Sequence, residues 1–317
     1  MFKIPKINFS SLKSKIVWLR YGRNYATHSV KFAENYYNFM IFIHNKEFKL
    51  RKKLANLDNK KKIEQGISIF KDSIFWENHN RDILSIFKKK YYKINWEKQS
   101  LTSQKQFLII KQIDFNESLF ELVQPLLSIV SNYIGSFPIL ETAQYWYSPN
   151  QTQNLGTSQN WHLDGEDKKQ LRVFIPIEEI DIDSGPMNAI DDINSKKILT
   201  SLIKLKIMTK KTNKVDDIHF SKFDFKKNTI LLKENEIGFV DTCNCFHYGS
   251  RISAKPRKLI MLHFTSAFSV NTPILFRKFS NKFGEDIKVK MLFGMRDQYF
   301  TVKRKENKLK KFQIKIM

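Results

Sequence analysis

Three short apolar runs, QLRVFIPIEEI (170–180), NTILLKENEIGFV (228–240) and KLIMLHFTSAF (258–268), most constrain what this chain can become. Each is short, rich in β-branched and aromatic residues, and bounded by turn-forming segments, so each reads as a strand. No unit of 20 to 50 residues repeats and no heptad runs through the chain, which excludes solenoids, propellers and coiled coils. A sheet-rich second half must close its apolar faces on one another, so the expected fold class is mainly β, a sandwich or barrel with helices packed outside. With 317 residues, 42% of them hydrophobic and 14% aromatic, the chain can bury a large core.

The first third reads differently. From Met1 to about Gln65 there is no strand alternation, and AENYYNFMIFIHNKEFKLRKKLANL reads as helical. Near Gly66 the pattern changes: Ile67 to Phe70 predicts a strand, and Ser73 is the expected cap of a helix carrying Ile74, Phe75, Ile83, Ile86 and Phe87. A second helix is expected from Ser118, kinked at Pro125 and stopped by Gly135, followed by the strand LETAQYWY. The expected organisation is thus a basic helical N-terminal extension (1–65), a main domain (66–270) and a C-terminal segment with a basic tail (271–317).

The formal charge of +24 invites a nucleic-acid reading, but the excess is mostly lysine spread among Ile, Asn and Phe, so no specific nucleic acid is expected. Two clusters stand out: residues 1–33 hold seven Lys or Arg and no acid, and VKRKENKLKKFQIKIM holds seven against one Glu. They are expected to be solvated ends, with weak attraction to an anionic membrane surface as the alternative. No apolar run approaches the roughly 18 residues of a membrane span, no secretory signal pattern opens the chain, and two cysteines make no disulfide framework. A cytoplasmic setting is the expectation. Nothing in the sequence bears on oligomeric state.

The stretch NWHLDGE places His162 and Asp164 two residues apart. In extended chain both side chains leave one face, roughly 7 Å apart at the backbone, and can lean toward one divalent metal. A third ligand is needed. Of the seven histidines, His28, His44 and His79 lie in helical text, His219 in a charged loop, and His263 inside an apolar strand as a core histidine. His247 ends a strand-like stretch before the turn GSRISAKP, 85 residues beyond His162. Two histidines and one carboxylate leave open positions on an octahedral iron, the layout of non-haem Fe(II) oxygenases. Arg257 follows ten residues later, and that turn would bring its guanidinium near the metal to grip a carboxylate. A rival reading takes C-x-C-x-H, Cys243, Cys245 and His247, as a zinc site, but leaves H-x-D and Arg257 without a task. No G-x-S-x-G, P-loop or G-x-G-x-x-G occurs.

The order H-x-D, SGPM, H-x-G-S, then Arg ten residues past the second His resembles the Fe(II)- and 2-oxoglutarate-dependent dioxygenases of the phytanoyl-CoA dioxygenase type. The resemblance spans roughly Gly66 to Ser269. It implies a double-stranded β-helix, or jelly roll, with iron held by His162, Asp164 and His247 at its mouth. It further implies that Arg257 binds the distal carboxylate of 2-oxoglutarate and that O2 is consumed, hydroxylating a C–H bond of a small organic or carrier-bound substrate. Gln144, on the strand before the motif, is either a contact to cosubstrate or substrate or an ordinary strand polar residue. SGPMNAIDDINSKK departs from the family's PGSH-like turn, so the segment 188–227 is unusual and the substrate stays open. The second reading is a non-catalytic jelly-roll binding protein whose basic surface takes anionic lipid or nucleic acid.

Overall fold

The computed structural model describes residues 26–55, 61–99, 108–150, 157–165, 167–208, 214–249, 251, 253–269 and 286–294. Its strands are β1 (Ile67–Lys71), β2 (Ile109–Gln112), β3 (Ile139–Ser148), β4 (Trp161–His162), β5 (Gln170–Pro176), β6 (Asn188–Ala189), β7 (Lys214–Val215), β8 (Asn228–Thr229), β9 (Glu236–Val240), β10 (His247–Tyr248) and β11 (Arg257–Thr265). They form a larger sheet in the order β1-β9-β5-β11-β3-β2 and a smaller one in the order β7-β4-β10-β6-β8. All the strand pairings are antiparallel. Two antiparallel sheets with helices outside make the jelly-roll core that the strand pattern and the resemblance led us to expect. β11 is central because its nine residues can pair on both edges, with β3 and β5.

The helices are α1 (Ala26–Ile43), α2 (Asn45–Leu54), α3 (Asn78–Tyr92), α4 (Glu117–Val123), α5 (Leu127–Ile134), α6 (Asp192–Lys204), α7 (Asp217–Phe220) and α8 (Ile287–Leu292). Ser73 caps none of them. Residues Asp72–Ile74 make a 3-10 turn in which Asp72 O accepts from Phe75 N and Trp76 N, and α3 begins only at Asn78. The reason is tertiary: Phe75 and Trp76 are drawn into the core and hold the chain in a tight turn. The buried stripe of α3 is Leu84, Phe87 and Tyr91, while Ile86 is exposed. Pro125 interrupts α4 and α5 with a 3-10 turn, and Gly135 ends α5 at φ 83, both as the sequence predicts. The cap of α4 is Asn116, whose side chain accepts from Leu119 N.

Residues on both sides of position 270 share one core, since Val289, Met291, Leu292 and Phe293 pack with the helices and sheet of the main cluster. The N-terminal helices are docked as well. Met40 packs on Ile139, Ala267 and Phe268. Arg51, fully buried, pairs with Glu47 at 2.9 Å and donates to the carbonyls of Phe137, Pro138 and Met291. The segment 188–227 contributes β6 and β7 to the smaller sheet, and its α6 and α7 cover that sheet through Ile198, Leu202 and Phe220 against Trp161 and Phe246.

Candidate metal centre

The site begins with strand register. β4 and β10 pair so that His162 and His247 are direct cross-strand partners, and their rings lie 4.2 Å apart between centroids. The separation of 85 positions is therefore closed by one antiparallel pairing. Asp164, two residues past His162, is fixed by its own N–H donating to Thr242 O at 2.8 Å. Asp164 Oδ1 lies 3.9 Å from His162 Nε2, and Oδ2 lies 4.0 Å from His247 Nε2. One ligand atom from each of the three side chains falls within 4.8 Å of the others, a convergence the sequence spacing predicts.

The tautomers follow from the backbone. His162 Nδ1 faces Asn160 O at 2.8 Å and His247 Nδ1 faces Cys245 O at 3.0 Å. A carbonyl only accepts, so each Nδ1 carries the hydrogen and each Nε2 turns a lone pair toward the shared point. Burial holds His162 below its ordinary pKa and brings His247 down to about 3, so both rings are neutral at neutral pH. Burial alone would raise the Asp164 carboxyl, but Arg172 in direct contact holds it well below the usual carboxylate range. Two neutral imidazoles and one carboxylate are a donor set for a divalent metal. Cis ligands about 2.1 Å from an ion sit roughly 3 Å apart, so small side-chain rotations close the observed spacings.

Sequence reasoning missed the residues that hold Asp164. Its Oδ2 accepts from Arg172 Nη2 at 3.0 Å, Arg172 Nε at 3.2 Å and Gln170 Nε2 at 3.3 Å. Gln170 Nε2 also donates to Thr242 Oγ1 at 2.7 Å, and Gln170 Oε1 faces His263 Nε2 at 3.0 Å. Because the Gln170 amide group spends its hydrogens on Thr242 and Asp164, His263 is the donor in that last pair. A signal existed: within QLRVFIP the polar residues Gln170 and Arg172 share one face with Phe174, against Leu171, Val173 and Ile175 on the other. His263 is buried as the sequence predicts, yet it borders the site rather than the core alone, and burial lowers its pKa to about 3. Glu141 was not foreseeable. It is the extra residue of a bulge, where His263 pairs with Thr142 and Phe264 with Leu140, and its Oε2 lies 3.7 Å from His263 Nδ1.

A cavity of about 370 Å³ opens on the three converging side chains. Arg257 lines it, buried at the start of β11, with Nη1 donating to Gly185 O at 3.1 Å and Nη2 to Ser148 Oγ at 3.3 Å. Burial lowers its pKa to about 10, which leaves it cationic at neutral pH. Gln144 also faces the cavity, and its Oε1 accepts from Trp146 Nε1 at 2.7 Å. The thiols lie elsewhere: Cys243 Sγ is 3.4 Å from Asp167 N, Cys245 Sγ is 3.7 Å from Gln65 O, and neither joins the metal-capable group. The C-x-C-x-H zinc set is therefore not assembled among the described residues.

No protein-family model matches the sequence, and no curated protein matches it either. Among solved structures, the chain is similar to the non-heme alpha ketoglutarate dependent epimerase SnoN from nogalamycin biosynthesis (10% identity over 64% of this chain and 78% of that chain, TM-score 0.40). It is also similar to HygX from Streptomyces hygroscopicus, solved with nickel and 2-oxoglutarate (10% identity, 64% and 84% covered, TM-score 0.43). A third is EctD from S. alaskensis, solved with 2-oxoglutarate and 5-hydroxyectoine (14% identity, 68% and 76% covered, TM-score 0.44).

Proposed function

We propose that this protein is an Fe(II)- and 2-oxoglutarate-dependent oxygenase of the phytanoyl-CoA dioxygenase type, hydroxylating a C–H bond of a small organic or carrier-bound substrate. The observation that carries this reading is the pair of Nε2 lone pairs and one clamped carboxylate converging on a cavity that also holds a buried arginine. His162, Asp164 and His247 are the residues that hold the metal in this proposal. In the same proposal Arg257 receives the distal carboxylate of the cosubstrate, a role supported by its place on the cavity wall and by the match of a planar guanidinium to a carboxylate. With 2-oxoglutarate and O2, Fe(II) held there supplies the oxidising power that an unactivated C–H bond requires.

The protein's own part is ligation, orientation and exclusion of water. Backbone carbonyls of Asn160 and Cys245 keep both rings in the ligating tautomer, and Arg172 and Gln170 fix Asp164 from behind. Trp146, Phe174, Met187 and Met261 give the cavity an apolar wall against which a substrate's carbon skeleton can pack, and Gln144 offers an amide there.

The test is anaerobic titration of the protein with Fe(II) and 2-oxoglutarate, followed by succinate measurement in air. A weak visible charge-transfer band and substrate-dependent succinate are expected from the natural sequence. Asp164→Ala, which removes the carboxylate ligand, is expected to lose both while keeping its circular dichroism. A folded natural protein with no band would refute the proposal in favour of the non-catalytic binding module.

A further inference from the structure

α1 and α2 follow one another with a break at His44, whose ψ of 34 is not helical: the last bond of α1 runs from His44 N to Met40 O at 2.9 Å and the first of α2 from Phe48 N to His44 O at 3.0 Å. One side of each helix is committed. Met40 of α1 and Glu47 and Arg51 of α2 face the body of the protein, and Arg51 is tied to three carbonyls there. Neither helix can turn over without exposing these residues. Phe39 and Phe42 stand out from α1, and Lys46, Lys49 and Lys53, at spacings of three and four residues, form an exposed stripe on α2, with Lys52 beside it. Phe39 is 57% exposed and Phe42 80%.

The charge of this face is one-sided. Between Asn35 and Lys53 the single carboxylate is Glu47, which is buried and paired with Arg51. Glu34, just before it, lies 3.3 Å from Lys168. Four exposed lysines and two exposed phenylalanines thus share a stretch, residues 35–53, that contributes no exposed acid. The chain's own N-terminal residues 1–25 carry six basic residues and no acid, and a second copy brings a formal charge of +24, so like-charge repulsion disfavours both as occupants. The complementary partner is anionic and has an apolar layer at its edge. We infer that the outward face of α1 and α2, through Phe39, Phe42, Lys46, Lys49, Lys52 and Lys53, docks onto an anionic lipid surface. The phenylalanine rings enter the boundary between headgroups and acyl chains, and the lysines lie over the headgroup charge. No described helix is long and apolar enough to cross a membrane, so the contact is peripheral. The inference is independent of what the cavity does.

The experiment is co-sedimentation of the full chain with vesicles of phosphatidylcholine alone and of phosphatidylcholine with phosphatidylserine. Binding is expected only to the second, falling as salt is raised, because exposed charges are screened beyond about 10 Å at 0.1 M. Replacing Lys46, Lys49, Lys52 and Lys53 by Gln is expected to weaken the partition about fivefold per lysine. Phe39→Ala with Phe42→Ala is expected to weaken it roughly tenfold with unchanged thermal stability. Equal binding by the natural and lysine-substituted chains, or to both vesicle types, would overturn the inference. So would Phe variants that lose stability but not vesicle binding, which would make the stripe an internal contact. Competition by single-stranded DNA with no effect of the Phe changes would assign the face to nucleic acid instead.

Discussion

At Asp164 the two oxygens have different surroundings. Oδ2 takes the donors of Arg172 and Gln170 and lies 4.0 Å from His247 Nε2, while Oδ1 is turned to His162. A carboxylate held this way has lost rotational freedom before any metal arrives, which is how a clamp raises affinity without touching the ion. Arg172→Met should therefore lower Fe(II) affinity by about 10- to 100-fold. Arg172→Lys should restore less than half of that loss in free energy, since an ammonium cannot reproduce the two-nitrogen contact. Anaerobic titration with Fe(II) reads both, and an affinity unchanged in Arg172→Met would show the ion pair to be merely structural. For Arg257→Lys the charge stays and the fork is lost, so the Michaelis constant for 2-oxoglutarate should rise at least tenfold, about 1.4 kcal/mol, with little change in iron affinity.

Elements place these residues by register rather than by their own stability. β4 and β10 are two residues each, too short to persist alone, yet their pairing sets the His162–His247 contact. Their neighbours supply the rigidity. Just before β1, Gly66 adopts φ 81 and its N-terminal approach brings the chain against Cys245: a Cβ there would stand 2.6 Å from Cys245 Sγ. Asp241 N donates to Gly66 O, so this turn is joined to the end of β9 and through it to the segment leading into β10. Gly66→Ala should cost about 3 kcal/mol, from the left-handed backbone and the clash together. Adding Cys245→Ala should recover the clash part only. Urea denaturation of the single and double variants separates the two, and full additivity would show that the thiol does not limit the turn.

Across the whole molecule, two buried carboxyls link sheet to loop and make stability depend on pH. Burial raises Asp167 to about 7 and Asp241 to about 6, far above the ordinary value of 3.8. Asp167 accepts from Lys168 N and Ser266 N, joining the start of β5 to the end of β11. Between pH 4 and pH 7 the folded state keeps a proton that the unfolded chain has released. Folding stability from this group is therefore present below about pH 4 and falls as pH rises through 7. Asp167→Asn removes the titration, so its stability should change less between pH 5 and pH 7.5 than that of the natural protein. Thermal melts at the two pH values check this, and parallel losses in both proteins would place the pH dependence elsewhere.

The sequence by itself determined a good deal of this. The runs 170–180 and 258–268 yield the strands Gln170–Pro176 and Arg257–Thr265 because short β-branched and aromatic stretches between turns suit a pleated surface, and Pro125 and Gly135 act where their ring and missing Cβ dictate. The convergence of His162, Asp164 and His247 was legible because few side-chain types serve a metal and H-x-D is a local spacing. Local rules could not reach what depends on two distant segments meeting. Ser73 lost its capping role because Phe75 and Trp76 find burial elsewhere in the core, and Arg51 became an interior residue because carbonyls from residues 137, 138 and 291 surround it. The bulge carrying Glu141 belongs to the same class, whereas the clamp on Asp164 comes from residues only six and eight positions away. The bulge is set by strand register between residues about 120 positions apart, and register is an outcome of packing whole sheets, for which no short stretch of sequence holds the information.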